Sequence, residues 1–242
     1  MANPGDMLRA VIFDFNGVLV DDEPIHLEII QKVLKEEGLA LDAADYYANY
    51  LGLDDWGCFR TYYRKHGVPL DNEALEALVR RKARYYRECI GDRIVVFPGV
   101  NELVPALARR FPLGIASGAL RSEIDLILTS IGLKEHFQAI VSTEDVIEGK
   151  PDPEIFNKAL EWLNGKVSGI PIRPCECLVI EDSREGIRAA RAAGMTCLAV
   201  TNSHPSGELA DARAVVASLE EITPGFLEKL FSPSTKSPHF VE

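Results

Sequence analysis

No apolar stretch in the 242 residues approaches the roughly 20 that a membrane-spanning helix needs. Met1 to Asp6 lacks a basic segment followed by an apolar run, so no secretory signal is read there and a cytoplasmic protein is expected. Cysteines are few, odd in number and scattered (Cys58, Cys89, Cys175, Cys177, Cys197), which in a reducing compartment means free thiols, mostly small buried hydrophobes. Cys175-Glu176-Cys177 has no second pair to complete a zinc signature. Positive charge is in deficit, 26 Lys and Arg against 37 Asp and Glu, a net −11. Such a surface repels polyphosphate backbones and anionic lipid, which argues against nucleic acid and membrane as partners and leaves small ligands. Internal repeats are absent. With 47% hydrophobic and 26% charged residues, the composition excludes a disordered, collagenous or coiled-coil chain.

At about 150 residues per domain the length suits one large domain, or a core with a modest second one. Residues 23–94 stand apart: they hold all seven tyrosines and a nearly balanced 11 basic against 13 acidic residues, a composition shift that marks an inserted domain. Outside that window Leu8–Asp14, Leu113–Ser117, Ala139–Ser142, Cys177–Glu181 and Thr196–Val200 are short, apolar and rich in Val and Ile, as buried parallel strands are. Helical stretches are predicted between them at Val100–Arg110, Ser122–Ile131, Pro153–Leu163 and Arg184–Ala193. This alternation predicts an α/β fold, a doubly wound parallel sheet with right-handed crossovers. Inside the window no strand is predicted, and Pro24–Glu37, Asp54–Lys65 and Asn72–Cys89 read as a helical bundle. The tail, Ser232–Glu242, has the Ser/Pro bias of a disordered end.

Ligands of an open parallel sheet bind beyond the carboxyl ends of its strands. Polar residues cluster at those ends: Asp14-Phe15-Asn16-Gly17, Ser117-Gly118, Lys150 in the loop after the third strand, and Glu181-Asp182-Ser183. Taken singly, each has a plainer explanation: Asp14 or Ser117 as a helix cap, Lys150 as a solvated side chain, Glu181-Asp182-Ser183 as a capping run. Taken together they put three carboxylates, an ammonium and a hydroxyl around one spot. Asp14, Glu181 and Asp182 then need a counter-charge, and hard oxygen ligands without His or Cys suit Mg2+. Lys150 and Ser117 are placed to neutralise and orient a phosphate, with backbone N–H groups of the loop after Asp14.

Asp14-Phe15-Asn16-Gly17-Val18-Leu19, Ser117-Gly118, Gly149-Lys150-Pro151-Asp152-Pro153 and the run from Glu181-Asp182-Ser183 through Gly186-Ile187 to Gly194-Met195 resemble the four signature motifs of the haloacid dehalogenase-like hydrolase superfamily. The likeness spans residues 8–220 and is closest to the branch with a helical cap between the first two motifs, which includes phosphoglycolate phosphatases and β-phosphoglucomutase. It implies a Rossmann-like core at residues 1–22 and 95–242, and a mobile cap at 23–94 hinged near residues 21–24 and 93–98. By the same resemblance Asp14 is a nucleophile that forms an aspartyl-phosphate. Mg2+ is held by Asp14, the main-chain carbonyl of Asn16 and Asp182, with Glu181 close by, while Ser117 and Lys150 grip the phosphoryl oxygens. The implied substrate is a small phosphorylated metabolite.

One position departs from the phosphatase pattern. Where family phosphatases carry a second Asp, two residues after the nucleophile, this chain has Asn16, which neither protonates a leaving oxygen nor deprotonates a water. A slow phosphatase, or one relying on good leaving groups, is expected. The competing expectations are phosphoryl transfer, C–P or C–halogen cleavage on the same core, and a non-catalytic phosphate-binding protein. C–P cleavage in the family needs a cap lysine; Lys32, Lys35, Lys65 and Lys82 are candidates, each expected on a solvated helix face, as are Arg60, Arg64, Arg80, Arg81 and Arg84. Specificity is expected from the cap loop Gly52-Leu53-Asp54-Asp55-Trp56, with Asp54 and Asp55 as substrate contacts or, equally, as a helix cap. His26 is assigned to the hinge.

Overall fold

In β1 (Ala10–Phe13) every residue is buried, and alternate side chains leave opposite faces of the strand. Val11 and Phe13 join one apolar cluster, Ala10 and Ile12 a second. The same division holds for β6 (Cys177–Glu181) and β7 (Thr196–Val200), so the sheet is covered on both sides, as a parallel sheet must be. The computed structural model describes residues 7–231, so the readings of Met1–Asp6 and Ser232–Glu242 lie outside the described residues. Its main sheet has six strands in the order β5-β4-β1-β6-β7-β8, all parallel, with β4 at Leu113–Ala116, β5 at Phe137–Val141 and β8 at Ala214–Val216. The chain moves outward from β1 through β4 to β5, then returns to the other side of β1 with β6. That reversal opens a crevice between the carboxyl ends of β1 and β6.

Helices α5 (Val100–Ala108) and α6 (Arg121–Ser130) contribute to the first cluster, and α7 (Glu154–Asn164) and α8 (Arg184–Ala192) to the second. The small side chains of Ala189 and Ala190 on α8 are fully buried there, which lets the helix lie close to β6 and β7. A last helix, α9, spans Pro224–Leu230.

A two-stranded antiparallel ribbon, β2 (Val20–Asp21) paired with β3 (Val95–Val96), brackets the insert. Between them run four helices: α1 (Glu23–Glu36), α2 (Ala43–Asn49), α3 (Asp55–Lys65) and α4 (Asn72–Cys89). Asp42, Asp54 and Asp71 cap α2, α3 and α4, each accepting a backbone N–H of the first turn, an interaction worth about 1 kcal/mol. The tyrosine excess is structural. Tyr46, Tyr50, Tyr62, Tyr63 and Tyr86 are buried, and Tyr62 stacks on His66 and packs against Tyr50. Among the described residues no helix is long and apolar enough to cross a membrane.

Candidate active site

Phe13 pairs with Ile180, so the residues that follow them, Asp14 and Glu181, emerge side by side where β1 and β6 end. Asp182 comes next, and ligand atoms of the three carboxylates lie within 4.8 Å of one another. Lys150, from the loop after β5, places its Nζ 2.8 Å from Asp14 Oδ1 and 2.7 Å from Glu181 Oε1. Burial disfavours the charge of each group, and the neighbours decide the outcome. Against burial, Lys150 and the amide and hydroxyl of Ser183 hold the Glu181 carboxyl below its usual range. Burial, reinforced by Glu181, pushes Asp14 up to about 6 despite Lys150. Asp182 is raised as well, by burial and by Glu181 and Asp14 together. One ammonium is too little positive charge for three buried acids.

The donor set therefore fits a hard divalent cation: all oxygen, convergent and short of counter-charge. The adjoining backbone is cut to the same purpose. Gly17 has φ +77°, and a Cβ on it would stand 2.0 Å from Asp182 Oδ2. A Cβ on Gly186 would likewise meet Glu181 Oε1 at 1.7 Å, so only glycine lets α8 start against that carboxylate. Ser183 does cap α8, accepting the Gly186 N–H at 3.0 Å, while Asp182 and Glu181 remain in the acidic cluster.

Ser117, buried after β4, is no helix cap: α6 begins after Leu120. Its hydroxyl donates to Asn16 Oδ1 at 3.3 Å and accepts from the Ala119 N–H at 3.1 Å. Asn16 Nδ2 donates to both oxygens of Asp22, at 2.8 and 2.9 Å. Asp22 also pairs with His26 Nε2 at 3.0 Å and accepts from the Tyr86 hydroxyl. Burial and Lys82 oppose a charged His26, but Asp22 outweighs them and its pKa rises to about 9, while Asp22 itself, against its burial, is held at about 2. His26 thus sits one turn beyond the β2 ribbon as half of a buried ion pair.

The helix-cap expectation for the 52–56 loop holds at Asp54, which also reaches the core. Its Oδ1 accepts the Gly57 N–H at 2.6 Å as a helix cap, and its Oδ2 accepts from Thr143 Oγ1 of the core at 3.0 Å. Gly118 faces the same loop: a Cβ on it would lie 3.7 Å from Asp54 Cβ. Asp55 turns instead to Lys82. Here a sequence expectation fails, because Lys82 is not on a solvated face but wholly buried, 3.0 Å from Asp55 and 3.2 Å from Glu123 on α6, with the Tyr86 ring beside it. Burial favours the neutral amine, yet the two carboxylates hold its pKa above the usual lysine value. Lys32, Lys35 and Lys65 are not buried, nor are Arg60, Arg64, Arg80 and Arg84, while Arg81 is half-buried against Glu36 and Glu37.

Sequence reasoning missed Asn202 and Ser203. They follow β7, and there Asn202 donates to the Gly17 carbonyl at 2.7 Å and Ser203 to Asp182. The rule that found the other residues, polar groups at strand carboxyl ends, also covers Thr201-Asn202-Ser203 and Thr143. Tyr86 and Glu123 carry no such signal, since their partners come from elements distant in sequence, and Asp22, whose partners Asn16 and His26 are near in sequence, lies outside the main-sheet strand ends that the rule covers.

The haloacid dehalogenase-like hydrolase family matches residues 11–200. This chain belongs to that family. A phosphorylated carbohydrates phosphatase of Thermotoga maritima is 31% identical over 195 residues, 78% of this chain and 82% of the relative. Fructose-1-phosphate phosphatase YqaB of Escherichia coli is 30% identical over 190 residues, 78% and 95% of the two chains. Among solved structures, a β-phosphoglucomutase from Clostridium difficile superposes with a TM-score of 0.81 at 23% identity, covering 93% of this chain and 97% of that one. That likeness establishes the fold: the parallel core with its helical insert is a haloacid dehalogenase-like architecture.

Proposed function

We propose that this haloacid dehalogenase-like hydrolase is a Mg2+-dependent phosphatase of a small phosphorylated metabolite, acting through an aspartyl-phosphate on Asp14. The observation that carries the reading is the convergence of Asp14, Lys150, Ser117 and the Glu181-Asp182 pair at the crevice between β1 and β6. The phosphatases among its relatives act on sugar phosphates and related esters by their names. When bound, the divalent ion would be held by Asp14, Asp182 and the Asn16 main-chain carbonyl, and would neutralise phosphoryl charge. Lys150 then supports both Asp14 and Glu181, and the Ser117 hydroxyl is placed to meet a phosphoryl oxygen. An Asp14 oxygen attacks phosphorus, the bond to the leaving oxygen breaks, and water later displaces the carboxylate.

C–P cleavage through a Schiff base is disfavoured by Lys82, because such a nucleophile must be a neutral amine and this one is held as an ammonium between two carboxylates. Residues 23–94 are assigned as the cap that closes over the substrate. Asp14→Asn keeps the volume and removes the nucleophile, so release of inorganic phosphate should fall to background in a protein that melts like wild type. Retained turnover in the purified variant would overturn the covalent route.

A further inference from the structure

β7 ends at Val200, and the turn that follows it is pinned to the neighbouring strand, because the Thr201 N–H donates to the Val216 carbonyl at 3.1 Å. From that turn two half-buried side chains reach back to the acidic cluster. Asn202 Nδ2 donates to the Gly17 carbonyl at 2.7 Å, and the Ser203 hydroxyl donates to Asp182 Oδ2. The Gly17 N–H is held as well, by the Val20 carbonyl at 2.9 Å. Across a trans peptide the carbonyl points opposite to the N–H, so the Val20 bond also sets the direction of the Asn16 carbonyl. One short turn thus ties together the two segments, at 16–17 and at 182, that carry oxygens for a divalent ion.

The Ser203 contact decides how Asp182 can ligate. Its Oδ2 accepts the Ser203 proton and lies against the Gly17 main chain, so close that a Cβ at position 17 would stand 2.0 Å from it and 2.9 Å from Ser203 Oγ. An oxygen enclosed in this way is withdrawn from the ion, and Asp182 is left to ligate through one oxygen. Mg2+ is satisfied by single oxygens in an octahedron at about 2.0–2.1 Å, whereas Ca2+ takes about six to eight oxygens at about 2.3–2.6 Å and readily draws on both oxygens of a carboxylate. We propose that Ser203 is a positioning residue that makes this site prefer Mg2+ over Ca2+, by holding Asp182 to a single metal-facing oxygen. The proposal rests on the divalent-ion reading above and adds to it a choice between two ions of equal charge. Composition does not make that choice, since three carboxylates and one ammonium suit either ion. The clip does, because it limits the number of oxygens and fixes where they stand.

Wild type, Ser203→Ala, Ser203→Thr and Asn202→Ala, each as the full chain freed of metal by chelation, are melted while MgCl2 or CaCl2 is titrated at constant ionic strength. An ion that binds the folded state raises Tm as the site fills, so each titration yields an apparent Kd without any turnover. Wild type should bind Mg2+ more tightly than Ca2+. Ser203→Ala should lose about 10–100-fold in Mg2+ affinity, the usual cost of removing a hydrogen-bond partner from a metal ligand. Its Ca2+ affinity should hold or rise, because both Asp182 oxygens are then free, and the preference for Mg2+ should fall by about tenfold or more. Ser203→Thr keeps the hydroxyl and should restore the preference. Asn202→Ala loosens the same turn but leaves the Ser203 contact with Asp182, so it should weaken both ions and keep their ratio. Should Ser203→Ala fail to fold, Ser203→Cys, a weak donor of nearly the same shape, carries the same expectation. If Ser203→Ala weakens both ions alike, if Asn202→Ala erases the preference as fully, or if wild type binds Ca2+ as tightly as Mg2+, Ser203 does not choose the ion. If neither salt raises the Tm of wild type beyond sodium chloride of the same ionic strength, the divalent-ion reading itself is wrong and the proposal falls with it.

Discussion

Lys82→Met removes a wholly buried ammonium from between two carboxylates. Its Nζ is 3.0 Å from Asp55 and 3.2 Å from Glu123, and the side chain has no exposed surface. Met approximates the stem and its volume, so the main loss is electrostatic. Breaking a buried pair by deleting one partner costs about 3–5 kcal/mol, because the remaining charge is left uncompensated. For a protein of this size each kcal/mol lowers Tm by about 2–4 °C, so the midpoint should drop by about 6–20 °C. The deficit should also depend on pH. Burial, with Asp55 close by, already holds the Glu123 carboxyl above its usual range, and losing Lys82 raises it further. A carboxyl raised in the folded state binds protons that the unfolded chain has released, so the variant should lose stability relative to wild type as pH rises from the ordinary glutamate range through that raised value. Lys82→Met/Glu123→Met, apolar at both positions, should recover much of the loss. Melting curves followed by circular dichroism between pH 5 and 8 would decide the matter, and a single variant melting within about 1 °C of wild type would refute the reasoning.

Gly17→Ala and Asp182→Ala should each weaken Mg2+ binding by calorimetric titration, the first because its Cβ has no room beside Asp182 Oδ2 and its backbone sits at positive φ, the second because a ligand is gone. Unchanged metal affinity in either would remove Asp182 from the metal site. Cap closure about the β2–β3 ribbon should appear as a smaller radius of gyration in solution scattering when Mg2+ and a phosphate analogue are added together, and an unchanged radius would speak against a moving cap.

The parallel core is legible in the sequence because burial on both faces forces continuous apolar runs, and because the sheet sends its polar residues to one end. Cys177–Glu181 and Thr196–Val200 form strands with the bounds their apolar runs predict. Strands of two or three residues leave no such pattern: β2, β3 and β8 exist through their partners, and Ala214–Val216 reads in sequence as any edge segment. α2, seven residues long, is absent from the predicted helices, although Asp42 caps it. Lys82 is the instructive failure. Charge density around Arg80-Arg81-Lys82 suggests a wet face, but position 82 lies three, four and seven residues from Val79, Leu78 and Leu75 and four from Tyr86, all buried. Helical spacing places it inside, and its partners, Asp55 and Glu123, are invisible to any local pattern.

The hydrogen-bonded ribbon of Val20–Asp21 with Val95–Val96 brings the two chain crossings together at one edge, Asp21 opposite Val95. An insert of seventy-odd residues thus leaves and re-enters the core at nearly the same point, where a short hairpin turn would join the strands as well. The sheet does not need the insert to set its connectivity, and closing that gap costs little loop entropy. Such a junction behaves as a modular socket: helical bundles of different shape can be exchanged at it while β1, β4 and β6 keep their register, so the insert can change without rebuilding the strand ends where Asp14, Glu181 and Asp182 converge.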